Sequence, residues 1–299
     1  MMKGLKLTMQ IQEILSSTIK QLNSNNVEEP NNKAKRLLAF VLNVPKEFLI
    51  INDNKELNKK QEVKYKKCIE RLIKGEPIQY IIGKQEFMGI DLIVTNDVLI
   101  PQPDTEILVE ETIKVAKQYD KPKILDLCTG SGAIAIAIKK YIPEAEIVAS
   151  DLSSKALRIA NNNDRTKKIR FILSDLFENI NEKFDIIVSN PPYIKTEEIK
   201  TLSKEVQNEP LMALDGGQDG LYFYEKIIKQ ANSYLNQNSY LCLEIGENQK
   251  NEIIKKIQYN GKYTNIQTYK DLGGNDRVIT CKKSWKNCEK TCINWRYMI

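Results

Sequence analysis

Two short tracts carry residue types that can do chemistry. The first is Asn190-Pro191-Pro192-Tyr193, which follows the apolar run Phe184–Ser189, read as a buried strand. Consecutive prolines fix φ and delete two N–H donors, leaving a stiff corner that presents acceptors. Asn190 offers a side-chain carbonyl, Pro191 a backbone carbonyl, and Tyr193 an aromatic face. Such a set suits a planar NH2 group. Its lone pair is delocalised, and positive charge grows on nitrogen when it attacks a methyl group. Two carbonyls accepting its N–H bonds aim the nitrogen and stabilise that charge, at roughly 3–4 kcal/mol per fixed dipole by analogy with oxyanion-hole donors. Holding both reactants adds up to ~7–11 kcal/mol. No general base is needed, because the methylated nitrogen loses its proton to water. The blander reading is a Pro-Pro turn that ends a strand.

The second tract is Asp126-Leu127-Cys128-Thr129-Gly130-Ser131-Gly132, between a strand at Lys123–Leu127 and a helix at Ala133–Tyr141. With Ala135 it matches G-x-G-x-x-A, so a dinucleotide site competes for it. Asp126 is expected to face the ligand's polar end, where its charge repels a pyrophosphate but suits the ammonium and sulfonium of S-adenosylmethionine. At an effective dielectric of ~20, unit charges ~4 Å apart interact by ~4 kcal/mol, enough to favour the latter. Asp151 ends the next strand, where a carboxylate can accept both ribose hydroxyls of either cofactor. The alternative for both aspartates is helix capping. Spacing alone favours methyl transfer and leaves the dinucleotide reading open.

Composition narrows the field. The 299 residues include no histidine, which removes Ser-His-Asp and Cys-His catalysis, imidazole bases and His-containing zinc sites. Six cysteines without C-x-x-C pairs read as reduced thiols in a cytoplasm, and no metal site is expected. The first twenty residues carry no secretory pattern, and no apolar run approaches the length of a membrane span. Net charge is +6, spread as +6 over residues 1–83, −4 over 84–281 and +4 over 282–299.

The elements that must position these tracts follow from periodicity. Residues 9–74 read as helices, with stripes at Ile11, Ile14, Leu15, Ile19, Leu22 and at Ala34, Leu37, Leu38, Val41, Leu42. A third helix, 58–74, places Val63, Ile69, Leu72 and Ile73 on one side and stops at Gly75. Phe87–Ile90 and Asp91–Ile100 read as extended segments leading to Ile100-Pro101-Gln102-Pro103. Beyond the two tracts come strands at 146–150, 168–174, 239–245, 263–270 and 277–281, with helices at 153–163, 221–235 and 248–259. A long irregular segment precedes Asp219. Alternation of this kind predicts an α/β, doubly wound Rossmann-like sheet, closed by an antiparallel pair around Leu272–Asn275.

These residues resemble the protein-(glutamine-N5) methyltransferases that modify the Gly-Gly-Gln motif of peptide chain release factors. The resemblance spans Gly75 to Cys281 through GEPIQYIIG (Gly75–Gly83), IPQPDTE (Ile100–Glu106), DLCTGSGAIA (Asp126–Ala135), SDL (Ser150–Leu152) and FDIIVSNPPYI (Phe184–Ile194). An EP…ALDGG…DGL tract (Glu209–Leu221), LEIGENQ (Leu243–Gln249) and DLGGNDRVI (Asp271–Ile279) complete it. NPPY alone is shared with adenine N6 and cytosine N4 methyltransferases; the proline linker and the ALDGG tract are more specific. The resemblance implies a seven-stranded methyltransferase sheet with a reversed last strand. It also implies that Cys128, Thr129, Gly130, Ser131, Gly132, Asp151, Leu176 and Asn190 line the S-adenosylmethionine site, and that Asn190, Pro191, Pro192 and Tyr193 hold the glutamine. Gln102 stands where the family usually has arginine.

The resulting expectation is a helical substrate-recognition domain over 1–82, a hairpin-like linker over 83–105, a methyltransferase domain over 106–281 and a basic, disordered tail over 282–299. The activity expected is methyl transfer to a release-factor glutamine by a cytoplasmic monomer acting in translation termination, without direct nucleic-acid contact. An adenine N6 methyltransferase and a non-enzymatic binding module are the alternatives.

Overall fold

The computed structural model describes residues 9–284. They divide into two compact units: residues up to Lys84 together with Ser203–Asn208, and Gln85–Leu202 together with the chain from Glu209 onward.

The first unit holds α1 (Ile11–Ser24), α2 (Pro30–Leu42), α3 (Lys46–Ile51), α4 (Lys59–Ile73) and α5 (Ile78–Ile82). Leu22, Leu37, Leu38, Leu49, Leu57 and Leu72 form its core. Asn58 and Gln61 start α4 with a reciprocal box, each side-chain oxygen accepting the other's backbone N–H. The buried face of α4 is Tyr65, Cys68, Ile69 and Leu72, an i, i+3, i+4, i+7 stripe. Val63 falls off that stripe and is exposed, contrary to the expected face. Ser203–Asn208 docks here: Glu205 pairs with Lys33, and Asn208 Nδ2 donates to the Gly75 carbonyl at 3.1 Å.

The second unit begins with a separate two-stranded sheet, β1 (Lys84–Phe87) and β2 (Ile90–Ile93). The chain reverses at Met88 and Gly89, both at positive φ, so 87–90 is the turn and not an extended segment. The order then runs α6 (Thr105–Ala116), β3 (Lys123–Leu127), α7 (Ala133–Tyr141), β4 (Glu146–Asp151), α8 (Ser154–Asn163), β5 (Arg170–Leu173) and β6 (Phe184–Ser189). A 3-10 turn (Glu198–Thr201), α9 (Lys204–Gln207) and α10 (Leu211–Leu214) occupy the segment expected to be irregular. Finally come α11 (Tyr222–Tyr234), β7 (Leu235–Glu244), α12 (Lys250–Asn260), β8 (Tyr263–Lys270) and β9 (Asp276–Lys283). The last strand therefore runs two residues into the segment assigned to a tail. The rest of that assignment, 285–299, lies outside the described residues.

Seven strands form one sheet in the order β5-β4-β3-β6-β7-β9-β8. β3 is parallel to β4 and β6, and β9 runs antiparallel to both β7 and β8, giving the reversed last strand. Leu108, Val109 and the Ala133–Ile138 face of α7 pack on one side, and Tyr224, Ile227, Ile253 and Ile257 of α11 and α12 on the other. Because β4 and β6 flank β3 on opposite sides, the carboxyl ends of these three strands open a crevice. Among the described residues no helix is long and apolar enough to cross a membrane.

Candidate active site

The glycine loop leaves β3 into that crevice. Cys128, Gly130 and Gly132 all adopt positive φ. A side chain on Gly130 would meet no atom within 4 Å and would project into open space, whereas one on Gly132 would press on Ala160 Cβ at 3.1 Å. The first glycine thus keeps the cavity clear, and the second lets α7 pack on α8. The cavity, about 510 Å³, is lined by Cys128, Gly130, Asp151, Leu176, Asn190 and Pro192 from the expected set, with Asp97, Ser150, Asp175, Asp215 and Phe223 added.

Asp126 is not on the cavity wall. Its Oδ2 accepts from Thr129 Oγ1 at 2.6 Å and from the Ala135 N–H at 3.2 Å, inside the first turn of α7. The residue is fully buried, and burial raises its carboxyl to about 7 despite those hydrogen bonds. Its place is under the loop, where it caps α7 and supports Thr129; the acidic wall is supplied by Asp97, Asp151, Asp175 and Asp215. Thr129, Ser131 and Gly132 also turn inward, the Ser131 carbonyl accepting from Asn163 Nδ2 at 3.0 Å.

Asp151 does reach the cavity. Oδ2 accepts from the Gly130 N–H and Oδ1 from the Ser153 N–H, both at 2.8 Å, which fixes the carboxylate between the two loops. Burial raises its pKa, and those amides oppose the rise. Leu176 presents its side chain from a left-handed backbone, φ 47°, held where its carbonyl accepts from Ser174 Oγ at 2.9 Å. These donors and acceptors fit a nucleoside ligand carrying positive charge: paired ribose acceptors, an apolar wall and carboxylates in place of cations. The buried hydroxyl of Ser150, on the cavity wall, has no hydrogen-bond partner among the described residues.

The proline corner follows β6. Asn190 Nδ2 donates to Thr105 Oγ1 at 3.2 Å, so the amide nitrogen is committed to the protein side and Oδ1 remains for the cavity that Asn190 lines. Pro191 and Pro192 are buried, and Pro192 lines the cavity. Tyr193 does not: burial pushes its phenol up, with the Glu244 and Arg277 side chains acting on it in opposite senses. Ile194 and Asp215 form a parallel bridge, with Ile194 N–H donating to Leu214 at 3.0 Å. Glu209 Oε2 accepts from the Ile100 N–H at 2.8 Å. Gln102 is exposed and donates to the Ile100 carbonyl at 3.0 Å, within its own loop.

Behind the corner lies a polar cluster that sequence reasoning missed: Thr105, Glu244 and Arg277, with Asp104 and Asp271. Arg277 Nη2 pairs with Asp271 at 3.0 Å and with Asp104 at 3.1 Å. Its members sit in the PDTE, LEIGENQ and DLGGNDR tracts, which carried the resemblance but no assigned role.

The chain matches the family models for the PrmC N-terminal domain over residues 13–83 and the methyltransferase small domain over 102–269. It is 38% identical over 281 residues to a release factor glutamine methyltransferase of Fusobacterium nucleatum, covering 92% of this chain and 79% of the relative. A second, from Buchnera aphidicola subsp. Schizaphis graminum, is 44% identical over 282 residues, covering 92% and 100%. The hMettl16 catalytic domain superposes with a TM-score of 0.54 at 11% identity over 79% of this chain and 86% of that one, a likeness of fold alone. The glycine loop, the proline corner and matches over 92% of the chain place it in one family: it belongs to the release factor glutamine methyltransferases.

Proposed function

We propose that this enzyme transfers a methyl group from S-adenosylmethionine to the side-chain amide nitrogen of the glutamine in a release factor's Gly-Gly-Gln motif. The observation that carries the reading is the commitment of Asn190 Nδ2 to Thr105, which leaves Oδ1 as an acceptor beside the cavity. The cofactor supplies an electrophilic methyl group. Asp151 would accept the ribose hydroxyls, Cys128, Gly130 and Leu176 would form the walls, and Asp126, Thr129, Ser131 and Gly132 would hold the loop in shape. Asn190 Oδ1 and the Pro191 carbonyl would accept the two amide hydrogens, turning the nitrogen lone pair toward the methyl group. Pro192 stiffens the corner, and the Tyr193 ring would pack against the carboxamide. The developing positive charge is met by carbonyl dipoles and an acidic wall.

The helical unit, matched to the PrmC N-terminal domain, is assigned to recognition of the release factor. All four described cysteines are free thiols, which suits a cytoplasmic enzyme, and one chain carries both tracts, which suits a monomer. An adenine N6 methyltransferase would need a basic groove for phosphates. Asp97, Asp151, Asp175 and Asp215 on the cavity wall oppose one.

Labelled S-adenosylmethionine incubated with purified release factor or with DNA tests the reading; label on DNA alone would overturn it. Asn190→Ala is expected to lower turnover at least ~100-fold with cofactor affinity nearly intact. Equal loss of both would make Asn190 structural only.

A further inference from the structure

The side chain of an asparagine turns about a soft, two-fold terminal torsion, so nothing intrinsic decides whether its carbonyl or its NH2 faces a ligand. For an acceptor that is itself an NH2 group, the wrong face sets donor against donor. The orientation of Asn190 must therefore be imposed from outside.

Thr105, 4% exposed, accepts the Asn190 Nδ2 hydrogen at 3.2 Å. A hydroxyl that accepts this bond still has one hydrogen to place. The Glu244 carboxyl, 2% exposed at the end of β7, is buried beside Thr105 and Asn190, whose side chains oppose the rise that burial imposes on it. Its Oε2 has no hydrogen-bond partner among the described residues, so it has acceptor capacity to spare. The mechanism above gives Glu244 no task.

We infer that Glu244 and Thr105 are positioning residues, a relay in which Glu244 accepts from Thr105 Oγ1 and Thr105 accepts from Asn190 Nδ2, holding the Asn190 carbonyl toward the acceptor amide. The inference rests on the glutamine reading. The relay is directional. Above about pH 7, where Glu244 is ionised, its carboxylate only accepts and so draws the Thr105 hydrogen away from Asn190; a carboxamide at 244 can donate to Thr105 and reverse the chain.

The test is steady-state methylation of release factor by Thr105→Val, Thr105→Ser and Glu244→Gln, with cofactor affinity by calorimetry. Thr105→Val is expected to lower kcat by about 10- to 100-fold through misorientation while the cofactor Kd holds. Thr105→Ser restores it. In an Asn190→Ala background, neither Thr105→Val nor Glu244→Gln should lower kcat further, since the group they orient is gone. Unchanged kcat in Thr105→Val, or effects that multiply in the Asn190→Ala background, would overturn the relay. Should Glu244→Gln melt early, the threonine pair decides alone. Wild-type enzyme that labels no glutamine defeats the functional reading instead, a result the variants do not mimic.

Discussion

Gln249 Nε2 donates to the Tyr193 carbonyl at 2.9 Å and to the Gly220 carbonyl at 3.1 Å, while its Oε1 accepts from the Gly246 N–H at 3.0 Å. One side chain thus joins the proline corner to the loops before α11 and α12. The corner needs such a clamp because it lies past the end of β6, where no ladder pairs its carbonyls. Gln249→Leu leaves two carbonyls and an N–H without these bonds, and each is costly where water is scarce. Stability is expected to fall by about 1–3 kcal/mol in urea unfolding, and turnover with it, at constant cofactor affinity. A variant as stable as wild type would show that the clamp contributes nothing.

Gly216 also packs closely against the same corner. A Cβ there would lie 2.6 Å from Tyr193 Cα and 2.8 Å from its carbonyl carbon, both backbone atoms that cannot step aside. Gly216→Ala must displace Tyr193 or break the Ile194–Asp215 bridge. Turnover is expected to drop about 100-fold, as for a misplacement of roughly 1 Å. Gly274→Ala, whose φ of +84° strains an alanine but whose Cβ meets nothing within 4 Å, is the control: it should lose some stability and retain turnover. Equal activity of the two would refute the steric argument.

How much of this was legible in the sequence depends on whether the signal is local. β3, β8 and α7 were readable because apolar runs and glycine punctuation lie within a few residues of one another. NPPY was readable because two prolines carry their conformation with them. α6 was missed: it starts two residues after Pro103, and the linker prolines drew the reading toward irregular chain. The Thr105–Glu244–Arg277 cluster has no local signature. It exists only because the strand order β6-β7-β9 and the start of α6 bring distant tracts together. Asp126 was placed on the correct strand end, but its bonds to Thr129 and Ala135 were not legible, because spacing does not report which neighbour a carboxylate finds first.

Asp126 and Glu244 make stability depend on pH. Burial raises both carboxyls to about 7, well above their ordinary values of 3.8 and 4.5. The folded state therefore holds protons that the unfolded chain releases between about pH 4 and pH 7. Their stabilising contribution is complete below about pH 4, declines as pH rises to about 7, and stays lost above it. Asn has no proton to lose, so Asp126→Asn removes one of the two slopes. Urea unfolding at pH 5 and pH 8 should show a smaller drop for Asp126→Asn than for wild type. Parallel curves would mean that Asp126 is ionised in the fold throughout.

Tyr193 separates two contributions that a single alanine change would merge. Its hydroxyl is influenced by the Arg277 and Glu244 side chains, whereas its ring packs against the core on the α11/α12 side of the sheet. On the proposed reading the hydroxyl has no part in holding the acceptor amide. Tyr193→Phe keeps the ring and removes the phenol oxygen near the buried Arg277 side chain. The unfolding midpoint should fall while kcat stays within about tenfold of wild type, since on the proposed reading the ring and not the hydroxyl packs against the carboxamide. Tyr193→Ala should lose both stability and turnover. A Tyr193→Phe enzyme as inactive as Tyr193→Ala would place the phenol oxygen, and not the ring, at the acceptor.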